Sequence, residues 1–381
     1  MNTVAAPSRR RLASLDALRG FDLFFLIALG PIVRSFASAA DVGWLNDSMW
    51  LFNHFAWEGF SPWDLIMPLF LFMSGASIPY ALSKYRSGKA TRSDLARHLA
   101  KRVVLLWIFG MICQGNLLGL DPNRIFLYSN TLQAIATGYL VTALLFVFTS
   151  RRTQFIVAPA LLIVYWALMQ FVTADGYGGG NYTPDGNLAE WVDRTVLGRF
   201  RDGASVSDGE VVFAGWYHYT WILSSINFAV TVLTGLFAGY VAKDQMSDSR
   251  KLQWYFLGGV AMIILGVLWG VQMPIIKPIW TSSMVLFSSG WCFVLMGLFY
   301  YWVDCKGHKR GSEWLRVFGM NSIAAYMLVE VFNFRCLGTP LFHGLEQYIG
   351  AWYQFLLTVW NAAVIYVILL YLHKRGIFLK V

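Results

Sequence analysis

The chain offers few residues able to do chemistry, and the most promising ones are gathered in one short stretch, Asn53-His-Phe-Ala-Trp-Glu-Gly-Phe-Ser-Pro-Trp-Asp64. Of the six histidines, His54 alone lies between two apolar runs in so aromatic a setting. An imidazole titrates near pH 6.5 and can act as a general base around neutrality. The structural alternative is an interfacial aromatic belt, which Trp57 and Trp63 would also suit. Asp64 opens an apolar run, where a carboxylate needs a partner. It can cap a helix start or orient an imidazole. Lys277-Pro-Ile-Trp-Thr-Ser-Ser283 opens a later apolar run. The Lys277 cation and the Ser282 hydroxyl are expected at the same mouth as His54. This makes His54 and Asp64 the catalytic candidates.

Charge inside apolar segments supplies a second set. Asp16, Arg19 and Asp22 are spaced i, i+3, i+6, so on a helix they lie near one another and can pair. Such charges cost about 2.5–3.5 kcal/mol each at the centre of a membrane helix and usually mark function. The cluster reads either as ion pairs that position the first helix, or as an entrance where Arg19, with Asp16 beside it, meets a phosphate-bearing ligand. Arg97, Lys101 and Arg102 fall in the most basic segment between apolar runs; they either obey the positive-inside rule or pair with phosphates. Gln133, Asn227, Asn321 and Glu330 are polar groups at membrane depth, where hydrogen bonding between helices is the default reading. Glu330 and Arg335 are close enough in sequence to pair.

Several chemistries are excluded. No HExxH or HxxxH pattern is present, so a metal site is not expected. The four cysteines (Cys113, Cys292, Cys305 and Cys336) show no CxxC spacing, which argues against a metal cluster or a disulfide framework. There is no GxSxG nucleophile motif. The triple glycine Gly178–Gly180 lacks the GK[ST] that would make it a phosphate loop.

These residues must be positioned by a chain that is 57% hydrophobic and 13% charged over 381 residues, with a mean hydropathy of +0.52. Soluble domains carry about 25% charged residues, so a soluble enzyme is excluded. A net charge of +9 would suggest nucleic acid in a soluble protein. Here the bases lie between apolar runs and report orientation, so no nucleic-acid partner is expected. Ten apolar runs, at about 15–38, 62–83, 101–120, 128–149, 154–173, 219–241, 253–273, 281–303, 315–335 and 351–372, predict an all-α polytopic membrane protein. With both termini cytoplasmic, about three in four of the 30 Lys and Arg fall on the inner side. The domain reading is a basic cytoplasmic N-terminus (1–14, with Arg9-Arg10-Arg11), one transmembrane domain (15–372) and a cytoplasmic tail (373–381). The outward loop 174–218, dense in Gly, Asn, Asp and Pro, reads as turns rather than regular structure. The charged start is a poor signal peptide and is read as a retained span. Short loops favour a bacterial inner membrane over a lysosomal one.

Several segments in order carry a family resemblance: Ser14-Leu-Asp-Ala-Leu-Arg-Gly-Phe-Asp22, His54-Phe-Ala-Trp-Glu-Gly-Phe, Asp64-Leu-Ile-Met-Pro-Leu-Phe-Leu-Phe-Met-Ser-Gly75, Asn130-Thr-Leu-Gln133, Lys277-Pro-Ile-Trp-Thr-Ser-Ser283 and Gly319-Met-Asn-Ser-Ile323. Together they resemble the heparan-α-glucosaminide N-acetyltransferase family and its bacterial relatives over about residues 11–335. The resemblance implies a transmembrane enzyme that takes acetyl groups from cytoplasmic acetyl-CoA, as co-substrate, to a sugar amine or hydroxyl on the far side. The family's essential histidine, in its H-x-x-W-x-G segment, maps onto His54. Arg19, Asp16, Arg97, Lys101, Arg102, Gln133, Lys277, Ser282 and Asn321 are the expected donor- and substrate-binding residues. The family's acidic D-P-E-G segment is replaced here by Tyr217-His-Tyr-Thr-Trp-Ile222, and Ile27-Ala-Leu-Gly30 stands where the family places an Asn. Expected partners are acetyl-CoA, a sugar or glycan acceptor and the lipid bilayer, with a homodimer left open. The alternative is a transporter or flippase for a lipid-linked or small anionic solute, since buried charges and many spans suit that equally.

Overall fold

The fold was obtained as a computed structural model that describes residues 12–308 and 310–379. The Arg9-Arg10-Arg11 cluster lies outside the described residues. Each of the ten apolar runs is helical, and the protein is an all-α polytopic membrane protein. Among the described residues, eight helices are long and apolar enough to cross a membrane, including Ala13–Ala40, Pro62–Ala81, Thr131–Phe148, Ser225–Lys243 and Ser282–Cys305. The helix Arg92–Cys113 is not among the eight; its first turns carry Arg92, Asp94, Arg97, Lys101 and Arg102, and only its second half is apolar. The run 315–335 is not one helix. It breaks at Asn321 into Glu313–Met320 and Ser322–Val331.

Helix starts follow the local chemistry of capping. Thr91, Asn130, Ser150, Ser247 and Thr281 each accept a backbone N–H from the first turn, which satisfies a donor that the helix cannot. The 174–218 loop corrects the expectation of turns only. It holds the helix Leu188–Leu197 and two antiparallel hairpins, Thr173–Ala174 with Tyr177–Gly178 and Ala204–Ser207 with Glu210–Phe213. Both hairpins turn on Asp-Gly pairs with positive φ, Asp175-Gly176 and Asp208-Gly209. This is the dipeptide favoured by tight hairpins.

Two helices form the centre. Within their most apolar stretches, Pro62–Ala81 and Ser225–Lys243 are 72% and 78% buried, against 17% for Asp248–Gly270. The two central helices meet backbone to backbone. A Cβ on Gly75 would fall 1.9 Å from the Val232 carbonyl oxygen, and one on Gly235 would fall 1.9 Å from that of Phe72. Helices in lipid gain no hydrophobic drive from meeting, so close approach at small residues supplies the attraction. Gly235→Leu should therefore cost about 1–3 kcal/mol or more through overpacking. In detergent it should appear as loss of the monodisperse peak in fluorescence-detected size exclusion, whereas Gly344→Ala, with nothing within 4 Å, should leave that peak unchanged.

Candidate active site

The site is built on one carboxylate. Ser61 precedes the turn Pro62–Leu65, its hydroxyl accepts from the Asp64 amide, and Asp64 Oδ2 accepts from the Ser61 amide at 3.0 Å. The same oxygen accepts from Ser61 Oγ at 3.1 Å and from the Phe55 amide at 3.3 Å. Its other oxygen, Oδ1, lies 2.6 Å from His54 Nδ1 and 3.3 Å from Lys277 Nζ. Asp64 thus performs both of the roles the sequence allowed, cap and imidazole partner. Lys277 Nζ is also 3.1 Å from His54 Nδ1. Both charged neighbours crowd the Nδ1 side of the ring. With Nδ1–H donated to Asp64, Nε2 keeps its lone pair for a reacting group.

Asp64 and Lys277 are buried, while the His54 side chain is 46% exposed. Desolvation lowers the His54 pKa, the hydrogen bond to Asp64 opposes that, and the Lys277 charge adds to the lowering. Two chain segments far apart in sequence are held together to make this contact. Gly59 N–H donates to the Ile275 carbonyl at 2.9 Å, and Glu58 bridges to Ile276. Tyr165 donates its hydroxyl to the Ile279 carbonyl. Trp63 is buried, with Phe25 and His54 beside it and the Arg34 guanidinium 4.4 Å over its ring. It is a wall of the site rather than part of an interfacial belt.

His54, Trp63 and Lys277 line a cavity of about 300 Å³ beside the 174–218 loop, called the outer cavity for that position in the fold, together with Gln114, Tyr217, Tyr219, Trp221, Tyr326 and Glu330. A second cavity of about 250 Å³ is lined by Asp16, Arg19, Ser74, Ser77, Arg102 and Tyr326. The two share Phe70, Thr131 and Tyr326 as wall residues. The two cavities therefore abut at these side chains, one with Arg19 and Arg102 in its lining and the other with His54.

The expected binding residues divide accordingly. Asp16, Arg19 and Arg102 line the inner cavity, and Asp16 lies 3.9 Å from Arg19. Asp22 leaves that cluster and lines an apolar cleft with Phe25 and Trp291. The Arg97 side chain is 78% exposed beside Asp94, and Lys101 is exposed; neither lines the inner cavity. Gln133 is a cap: its Oε1 accepts from the Ser129 and Asn130 amides and its amide donates to the Leu127 carbonyl at 2.7 Å. Ser282 donates to the Leu162 carbonyl, bonds Asn227 and is buried. Asn321 ties the helix break to the C-terminal segment through Ile377 and Leu379. Those three side chains serve packing here and line neither cavity. Arg335 donates to Thr358 rather than pairing with Glu330. Among the described residues, no group of three or more His, Cys, Asp or Glu is placed to hold a metal.

No family model matches the chain. It is 27% identical over 376 residues to the mouse heparan-α-glucosaminide N-acetyltransferase and 25% identical over 374 residues to the human one. Each match covers 85% of this chain. The chain is a distant relative of these N-acetyltransferases. It spans about half the length of the curated relatives it matches, 55% of the mouse protein and 53% of the human one.

The sequence motifs did not point to most of the wall around His54. Tyr217, Tyr219 and Trp221 face one cavity because a buried network shapes the loop before them. Arg201 donates to Glu190 at 2.6 Å and to the Tyr217 carbonyl at 3.1 Å. Asp193 accepts from the amides of Trp221 and Ile222 at 2.8 and 2.9 Å. The signal in the sequence was the alternation of aromatics in Tyr217-His-Tyr-Thr-Trp221, which puts every second side chain on one side.

Removing Lys277 takes away a cation that opposes protonation of His54. Lys277→Met should therefore raise the His54 pKa, and Asp64→Asn, which removes the hydrogen-bonded anion, should lower it. The pH dependence of His54 modification by diethyl pyrocarbonate, followed by mass spectrometry, reads both shifts. No upward shift in Lys277→Met would mean that the contact is not made.

Proposed function

We propose that the protein is a transmembrane acyltransferase that moves an acetyl group from acetyl-CoA to a sugar amine or hydroxyl on the opposite side of the membrane. The observation that carries this reading is the pair of abutting cavities, with Arg19 and Arg102 at one end and His54 at the other. The distant N-acetyltransferase relationship supports it. The phosphates of the donor need cationic partners, which Arg19 and Arg102 would supply at the cytoplasmic end. Its thin pantetheine arm would pass Phe70, Thr131 and Tyr326 and bring the thioester to His54. His54 Nε2 then either deprotonates the acceptor or carries the acetyl group transiently. Asp64 fixes the ring and balances its positive charge once protonated. Lys277, engaged on the Nδ1 side, holds the charge balance of the pair rather than meeting the oxyanion.

Transport of a small anionic solute is the second reading, since a chain of cavities through the bundle also suits a permeation path. Acetyl transfer separates the two. His54→Asn, which keeps a polar side chain, should reduce transfer from labelled acetyl-CoA to amino sugars by about 10²–10⁴-fold while leaving acetyl-CoA binding within about threefold of wild type. A labelled enzyme formed without acceptor would select the covalent route. Transfer by His54→Asn within threefold of wild type would remove His54 from the chemistry. Absence of transfer by the wild type to any acceptor would favour transport.

The orientation that this scheme needs has both termini in the cytoplasm and loop 174–218 outside, as the basic asymmetry indicates. In a cysteine-free background, Asp185→Cys should react with an impermeant maleimide in intact cells and Lys89→Cys only after lysis. The reverse pattern would invert the scheme.

A further inference from the structure

A further cavity, of about 430 Å³, lies where four helix ends meet. Pro79 lines it near the end of Pro62–Ala81, Phe146 near the end of Thr131–Phe148, Arg151 at the start of Arg151–Phe171 and Lys243 at the end of Ser225–Lys243. It is at the end of Arg151–Phe171 opposite the 174–218 loop, and it shares no lining residue with the two cavities described above. Three cations and one carboxylate line it: Arg86, Arg151, Lys243 and Asp244. Arg151 is paired with that carboxylate by two bonds of 2.8 Å. Lys243 Nζ donates to the Pro79 carbonyl at 2.6 Å, and Arg86 Nη1 donates to the Tyr240 hydroxyl at 2.9 Å. Both of those partners are neutral, and among the described residues neither cation has an ion pair. An ammonium carries three N–H donors and a guanidinium five, so each keeps donors for a ligand.

Buried groups hold these cations in place. Tyr240 is 5% exposed; its hydroxyl accepts from Arg86 and donates to Gln154 Oε1 at 2.7 Å, and the Arg151 guanidinium lies 4.1 Å over its ring. Gln154 is itself buried and donates to the Leu145 carbonyl at 3.0 Å. The positive-inside rule accounts for bases at span ends, but it needs no such cradle. Phe155, one turn along the helix from Arg151 and on the same face, is 55% exposed and stacks on Phe237 at 4.2 Å. An apolar surface therefore continues from the basic cavity along the part of the bundle that faces lipid.

We infer that this cavity binds the phosphate headgroup of an anionic phospholipid, with Arg86 and Lys243 donating to the phosphate oxygens and an acyl chain lying over Phe155 and Phe237. Phosphate oxygens accept strong charge-assisted hydrogen bonds from Arg and Lys, and basic pockets between transmembrane helices suit anionic headgroups. A choline headgroup brings its own cation, which Arg86 and Lys243 repel. A free phosphate would meet the two cations but leave the rings uncovered. None of these residues takes part in the proposed acyl transfer, so the lipid site stands or falls apart from it.

Native mass spectrometry of the full chain in a neutral detergent tests the site. Dioleoylphosphatidylglycerol and dioleoylphosphatidylcholine are titrated separately, so that the headgroup alone differs. Wild type should bind the glycerol lipid tighter by about tenfold or more, the scale of a charged hydrogen bond. Arg86→Gln and Lys243→Gln should each weaken that lipid by about fivefold, the effect of one base on an anionic lipid, and leave the choline lipid within about twofold. Lys89→Gln and Arg152→Gln, exposed bases at the same end that do not line the cavity, should change neither. Asp244→Asn removes the cavity's carboxylate and frees Arg151, so it should tighten binding of the glycerol lipid. A gain of affinity does not come from misfolding, so this variant decides if the Gln variants melt abnormally. Inorganic phosphate at millimolar concentration, without lipid, should leave the wild-type melting temperature unchanged. Equal affinity for the two lipids, equal losses in the cavity and control variants, or no tightening in Asp244→Asn would overturn the inference. Stabilisation by inorganic phosphate that Arg86→Gln abolishes would overturn it in favour of a soluble phosphate ligand.

Discussion

Burying the carboxylate of Asp64 is the constraint on which the site depends. An unpaired charge at the rim of an apolar helix costs several kcal/mol, and the fold meets that cost by surrounding both oxygens. One oxygen closes the turn that begins the central helix, through Ser61 and Phe55. The other collects His54 from 10 residues away and Lys277 from 213 residues away. The group that starts a helix is thus also the group that aims the histidine, and disturbing either function disturbs the other.

Aiming a histidine is of use only if space leads to it. The central helices meet at glycines, backbone against backbone, and one of them, Pro62–Ala81, lines both cavities through Phe70. The broken helix adds to it. Gly319 packs directly on the Asp16 carbonyl and Gly20 on that of Leu315, so the first helix and Glu313–Met320 are pressed together at one end. Beyond the break at Asn321, Ser322–Val331 turns Tyr326 and Glu330 toward the cavities. Tight contact on one side of the break and cavity-lining side chains on the other place the broken helix at the junction of the two cavities.

The outer wall depends on polar groups that lie off that path. Arg201 and Glu190 are fully buried together, and Asp193 satisfies two backbone donors ahead of the helix Ser225–Lys243. A buried ion pair of this kind is weak evidence of stability but fixes a conformation. Here it fixes the loop that presents Tyr217, Tyr219 and Trp221. The loop is therefore part of the cavity rather than a connector.

Local chemistry alone determined where most helices lie and begin. Long apolar runs must be helical in lipid, because no other structure short of a closed barrel satisfies the backbone there. Ser, Thr and Asn mark the starts because their side chains accept the orphan amides. The Asp-Gly pairs of the 174–218 loop are equally local signals, but reading the loop as turns without regular structure misses the hairpins they close. His54 and Asp64, ten residues apart, could be named as partners from their types. What only the tertiary structure decided was which side each helix turns inward. A helix apolar on every face has no stripe to read, so its rotation is set by small-residue contacts with neighbours. The packing of helices and loops together brought Lys277, on the segment that precedes the helix from Ser282, to Asp64 across 213 residues. It also parted Asp22 from Arg19, spent Gln133, Ser282 and Asn321 on packing, and turned Glu330 into the cavity instead of toward Arg335.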